Sequence, residues 1–262
     1  MPARRRAPDT AGAVRLLSSV LGDRARDPDG HHLGRITDLV ADLGASDDPR
    51  GRPAVTGLVV RGPGRPDAER VLCGEVRWTG RRWVVAVQRE GAAGMRPTEL
   101  RLARDVLYAP AIVASPQQRG RVSEVLLEVL PGSVDVAGVD LSARGLARRL
   151  SGRATPAPGP VVPLSEVHLG SRRGHAAQLA TGQAAVHRLQ AEGLAELLTH
   201  ASLSHAREIV AAVDHEVGRA AVGMLHPALR DRVTGRSGPP RRMLRFAGWR
   251  LHRPGSSRNG DR

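Results

Sequence analysis

The chain carries one short pattern twice, in the same order, and that repetition limits its fold more than any other feature. Gly34-Arg35-Ile36 recurs as Gly120-Arg121-Val122, with Leu21 opposite Leu107 and Ala25 opposite Ala111 at the same offset. Val55-Thr56-Gly57 matches Val136-Ala137-Gly138, and Glu75-Val76 matches Glu166-Val167. Matches that keep their order read as an internal duplication. The repeated unit is β in character. Asp27-Pro28-Asp29-Gly30 has the residues of a hairpin turn, since Asp and Gly tolerate its dihedrals. Strands are predicted at Leu33–Leu43, Val55–Arg61, Val71–Val76 and Arg82–Gln88, the last with Trp83, Val85 and Val87 alternating. The second copy differs by a predicted short helix, Ser142–Leu150, and a Pro-rich insert, Gly152–Pro160.

From about Gly174 the apolar spacing turns helical. Ala184–Thr199 places Leu189, Leu194, Leu197 and Leu198 at helical intervals. Ser204 is the expected cap of a helix through Val213, Asp214 that of Val217–Leu225, and Pro227 opens a last helix ending near Val233. Helices of two to three turns are marginal alone, so these are expected to pack as a small superhelix. Aromatic residues make up only 2% of the chain, which forces the cores onto Val, Leu, Ile and Ala. Several small modules suit that composition better than one large domain.

The formal charge of +14 rests wholly on Arg, because the chain has no Lys. Residues 1–8 hold +3 through Arg4, Arg5 and Arg6, and 235–262 hold eight Arg against one Asp. The span 9–234 therefore carries only +4. The basicity belongs to the ends, and both 1–13 and 235–262 are expected to be largely disordered. Within the tail, Met243–Leu251 reads as a short amphipathic segment. Arg241, Arg242, Arg245, Arg250 and Arg253 are its candidates for contact with a polyanion or an anionic membrane surface. The near-neutral core and the lack of an aromatic stacking platform weigh against nucleic acid as the main ligand.

Cys73 is alone, so no intramolecular disulfide forms and a reducing compartment is expected. No apolar run approaches the roughly 18–20 residues of a membrane helix. Ala11–Leu21, broken by Arg15 and paired serines, lacks the unbroken core of a secretory signal. The expected location is the cytoplasm.

Catalytic patterns are missing. Gly62-Pro63-Gly64 has neither the spacing nor the Lys of a phosphate loop. His187, His200, His205, His215 and His226 do not fall at zinc-ligand spacing, and His215-Glu216 is followed at Arg219 by the wrong residue for a zincin. Cys73 lies in an apolar strand, where it reads as a small hydrophobe. Carboxylates suit Mg²⁺, a hard ion that takes oxygen ligands. Glu192 and Glu196 share one helix face and Asp214 and Glu216 flank a helix start, making these four the candidates for a weak Mg²⁺ site. Solvated faces and helix capping explain the same residues.

The hairpin around Gly30 with "HLGRITDLVADL", followed by "TGLVV" and "VVPLSEVHL", resembles PRC-barrel domains. The stretch from "LQAEGLAELLTH" to "ALRDRV" is similar to the intracellular N-terminal domain of MgtE magnesium transporters, although Gln190–Gly193 replace that family's His-Pro-Ala-Asp. The resemblance implies an α+β chain of two small antiparallel β-barrels, 14–106 and 107–172, followed by an all-α superhelical domain, 173–234. It implies a link to magnesium sensing, but no transporter, since neither a membrane channel nor a CBS pair follows. The function expected is that of a non-enzymatic regulatory or adaptor protein docking a partner protein. The alternative is an RNA- or ribosome-associated factor using the barrel and the Arg-rich tail.

Overall fold

The computed structural model describes residues 13–44, 51–62, 68–113, 118–142, 160–182 and 184–235. The expectations for the N-terminal arm, the insert, the helix after Ser142 and the tail arginines Arg241, Arg242, Arg245, Arg250 and Arg253 lie outside these residues.

The chain opens with β1 (Ala13–Leu16), the helical turn α1 (Leu17–Val20), β2 (Arg24–Arg26) and β3 (His32–Asp42). A hairpin turn joins β2 to β3, with the Gly30 amide donating to the Asp27 carbonyl at 3.0 Å. Next come β4 (Ala54–Arg61), β5 (Glu69–Trp78), β6 (Trp83–Glu90), β7 (Glu99–Arg101) and a second helical turn, Leu102–Val106. The second copy supplies β8 (Pro110–Val113), β9 (Gln118–Arg121), β10 (Glu124–Leu130), β11 (Ser133–Asp140), β12 (Val161–Val162) and β13 (Val167–Leu169).

The pairings preserve the duplication. Arg24 pairs Arg35 and Ala25 pairs Gly34 in the first copy, as Pro110 pairs Arg121 and Ala111 pairs Gly120 in the second. Arg35 Nη1 donates to the carbonyl of Gly22, and Arg121 Nη1 to that of Tyr108, at 3.0 and 3.1 Å. The strands leading into each copy are exchanged: β1 pairs with β10 of the second, and β7 with β3 of the first.

That exchange overturns the expectation of two small barrels. Ten strands of both copies form one sheet, in the order β1-β10-β11-β4-β5-β6-β2-β3-β7, with β12 on β11 and an added β3–β4 ladder. The remaining three, β13-β8-β9, form a separate open sheet. With β1 on β10 and β4 on β11, the strands of the second copy are continued by those of the first, and neither copy stands as a unit of its own. The apolar residues agree, since Leu17, Leu39, Leu58, Trp83, Leu127 and Leu169 belong to a single buried cluster. What stands of the expected fold is its α+β character with a C-terminal helical region.

Trp78 and Trp83 are cross-strand partners with ring centroids 5.2 Å apart. The Arg15 guanidinium lies 4.2 Å from the Trp78 ring centre, and the buried Trp83 donates its indole N–H to Asp23 at 3.1 Å.

The helical part comprises α2 (Arg172–Leu179), α3 (Ala191–His200), α4 (Leu203–Ala212), α5 (His215–Met224) and α6 (Pro227–Val233). α2 belongs to the β core, in which Ala177 is buried. α3 to α6 share their own core, centred on Leu194, Leu198, Ile209 and Ala221. The expected helix Ala184–Thr199 is broken: a 3-10 turn, Ala185–Arg188, precedes extended Leu189 and Gln190. Ser202, not Ser204, caps α4, accepting the His205 amide. Asp214 caps α5, accepting the amides of Glu216 and Val217 at 2.9 and 3.1 Å. No helix among the described residues is long and apolar enough to cross a membrane.

Candidate functional site

Two features dominate the helical half: a polar junction with the sheets, and an open groove on its outer side. The junction is built on α2. Gln178 reaches the backbone of β13, accepting the Leu169 amide at 2.8 Å and donating to the Val167 carbonyl at 2.5 Å. This places His168 of β13 against His175 of α2, both buried, with His168 Nε2 and His175 Nδ1 3.1 Å apart. His175 Nε2 meets Glu208 of α4 at 3.1 Å, and His205 of α4 stacks on the same ring, centroids 3.9 Å apart. A carboxylate only accepts hydrogen bonds, so a neutral His175 donates from Nε2 and its Nδ1 accepts the Nε2 proton of His168. Burial, with His175 and His205 adding to it, lowers the His168 pKa to about 3. Burial and His205 also lower that of His175, against the opposing pull of Glu208. The buried histidines are held neutral, and the junction is a structural relay joining β13, α2 and α4.

The groove lies along α4, α5 and α6. Val210, Gly218, Val222 and Gly223 provide an apolar floor, with His215, Arg219, Arg230 and Asp231 around it, enclosing about 360 Å³. Arg219 and Arg230 are exposed. The rim thus has two guanidiniums and an imidazole to one carboxylate.

Glu192 and Glu196 are exposed on α3, Asp214 is engaged in capping, and Glu216 is exposed in the first turn of α5. Among the described residues the one group of three ligand-type side chains within mutual reach is Asp27, Asp29 and His31, which includes none of the four. That group belongs to the β2–β3 turn, where Asp27 accepts the His31 amide at 2.7 Å. Glu196 and His200 instead line a space of about 10 Å³ beside His168, too small for more than a water. Cys73 is buried, and burial together with Glu99 pushes its thiol pKa up, so it stays protonated.

Sequence reasoning missed His168 and His175 because their neighbourhood arises across a strand-to-helix junction, not along one helix. Their seven-residue separation carries no ligand pattern.

No family model and no curated protein matches the chain. The resemblance to PRC barrels and to the MgtE N-terminal domain is therefore withdrawn. Its short apolar strings are ones that aliphatic-rich strands and helices produce by patterning alone.

Proposed function

We propose that the protein is a non-enzymatic adaptor that docks a partner protein in the groove of α4, α5 and α6. The groove's composition carries this reading. An apolar floor under a cationic rim is complementary to a short partner segment with apolar anchors flanked by Asp or Glu. The Gln178 clamp and the His168–His175–Glu208 relay support it, since they hold α2 and α4 to the sheets and give the groove a rigid base. Rigid presentation lowers the ordering cost of binding.

A photo-crosslinking amino acid at Gly223 tests it, because a Cβ there meets nothing within 4 Å. The expected product is a nuclease-resistant protein adduct that disappears when Arg219→Glu and Arg230→Glu are added. Adducts that persist in the charge-reversed protein, or that require RNA, contradict the reading.

A further inference from the structure

We propose a second, separate site: a groove on the first copy that binds the polyphosphate group of a small molecule. Arg24 on β2, Arg35 on β3 and Arg61 on β4 stand directly opposite one another in consecutive register, and all three are exposed. Side chains opposite one another across strands share a face, and like charges so placed repel. With strands about 4.8 Å apart, the row spans roughly 10 Å. Arg24 has no hydrogen-bond or ion-pair partner among the described residues. Arg61 reaches Glu69 only at 3.8 Å, and Glu69 is engaged at 2.7 Å by Arg101. Folding therefore sets three guanidiniums side by side with little internal compensation.

Beside the row is an open groove of about 590 Å³, lined by His32, Arg35, Thr37 and Arg61 over Leu21 and Ile36. Guanidinium forks match phosphate oxygens in pairs. A row of this width, with no Phe, Tyr or Trp among the groove residues for a base to stack on, suits a di- or triphosphate better than an RNA strand. The duplication supplies an internal control. At the matching register the second copy has Pro110 opposite Arg121, so the row is absent there although the fold is repeated. The close approach of strands also fixes the row: a Cβ on Gly34 would sit 2.5 Å from the Arg61 carbonyl oxygen.

Calorimetric titration of the full chain at low salt, with inorganic pyrophosphate and with ATP, tests the assignment. Both are expected to bind, and both Arg35→Gln and the double variant Arg24→Gln/Arg61→Gln are expected to weaken them about tenfold or more. The double variant covers the case in which losing the Arg35 bond to Gly22 disturbs the fold. Arg121→Gln should bind like the parent. Equal affinity for the two ligands places recognition in the phosphates alone, whereas tighter ATP binding that still needs the row adds a nucleoside contact. No binding of either ligand overturns the proposal, as does an equal loss in Arg121→Gln. So does row-dependent binding confined to an RNA oligonucleotide or to anionic vesicles.

Discussion

Asp38 and Glu124 hold equivalent places in the two copies, and each caps the helical turn that leads into the other. The Asp38 carboxylate accepts the amides of Ala103 and Arg104 at 2.6 and 3.0 Å, and also the Arg101 guanidinium at 3.1 Å. Glu124 accepts the Ser18 amide at 3.2 Å and the Ser18 hydroxyl at 2.6 Å. Both acids are buried. The copies are thus interlocked by polar contacts as well as by exchanged strands.

Removing either carboxylate should loosen both copies together. Asp38→Ala leaves the amides of Ala103 and Arg104 without their acceptor and Arg101 with Glu69 alone, and should cost roughly 2–3 kcal/mol. Glu124→Gln, which keeps its shape and one acceptor oxygen, should cost about 1–3 kcal/mol. Urea unfolding followed by tryptophan fluorescence and by far-UV circular dichroism checks this; the β region should lose stability in one coincident transition.

The histidine junction makes stability depend on pH. His168 and His175 have folded pKa values below the ordinary 6.5, so the unfolded chain binds more protons in mildly acidic solution. Their contribution is fully present above pH 6.5 and is lost as pH falls toward the lowered folded values, which for His168 is about 3. Between roughly pH 5 and 6, before carboxylates titrate, His168 should remove up to about 1.4 kcal/mol per pH unit, and His175 should steepen the slope in the same direction. A pH series of unfolding free energies checks the slope, and His168→Phe should flatten it.

Gly74 should tolerate no side chain. A Cβ at this position would lie 1.9 Å from the Ala86 carbonyl oxygen, at the bulge where β5 shifts register against β6. Gly74→Ala should cost about 3 kcal/mol through overpacking, measured as a fall in the urea midpoint at unchanged slope.

Asp214 separates a capping role from a magnesium role. Asp214→Ala should cost about 1 kcal/mol and Asp214→Asn much less, since Asn also caps. Added Mg²⁺ should leave both differences unchanged in thermal unfolding; a cost that grows with Mg²⁺ would assign Asp214 to a metal site.

Much of the local structure was legible. Strand positions followed from alternation, the β2–β3 turn from Asp27 to Gly30, and the start of α5 from Asp214, because neighbouring residues decide these features. The duplication was legible too, but its consequence was not. Nothing local tells Leu16 to pair with Leu126 in the other copy. Strand exchange is decided by which edge wins a tertiary competition, so two separate barrels were expected where one shared core exists. The alternation at Trp83, Val85 and Val87 fails at its end, since Val87 is 41% exposed beyond the core. The histidine relay was hidden because it joins three elements at once. The arginine row was hidden for a related reason: Arg24, Arg35 and Arg61 become neighbours only through register.

The adaptor reading is tested most directly by quantifying what co-purifies with the intact protein after nuclease treatment, for the parent and for Arg219→Glu/Arg230→Glu. The account predicts a stoichiometric protein partner bound through an acidic, apolar-anchored segment, reduced at least about tenfold by the double reversal. A partner retained equally by both proteins, or one lost with nuclease, would contradict it.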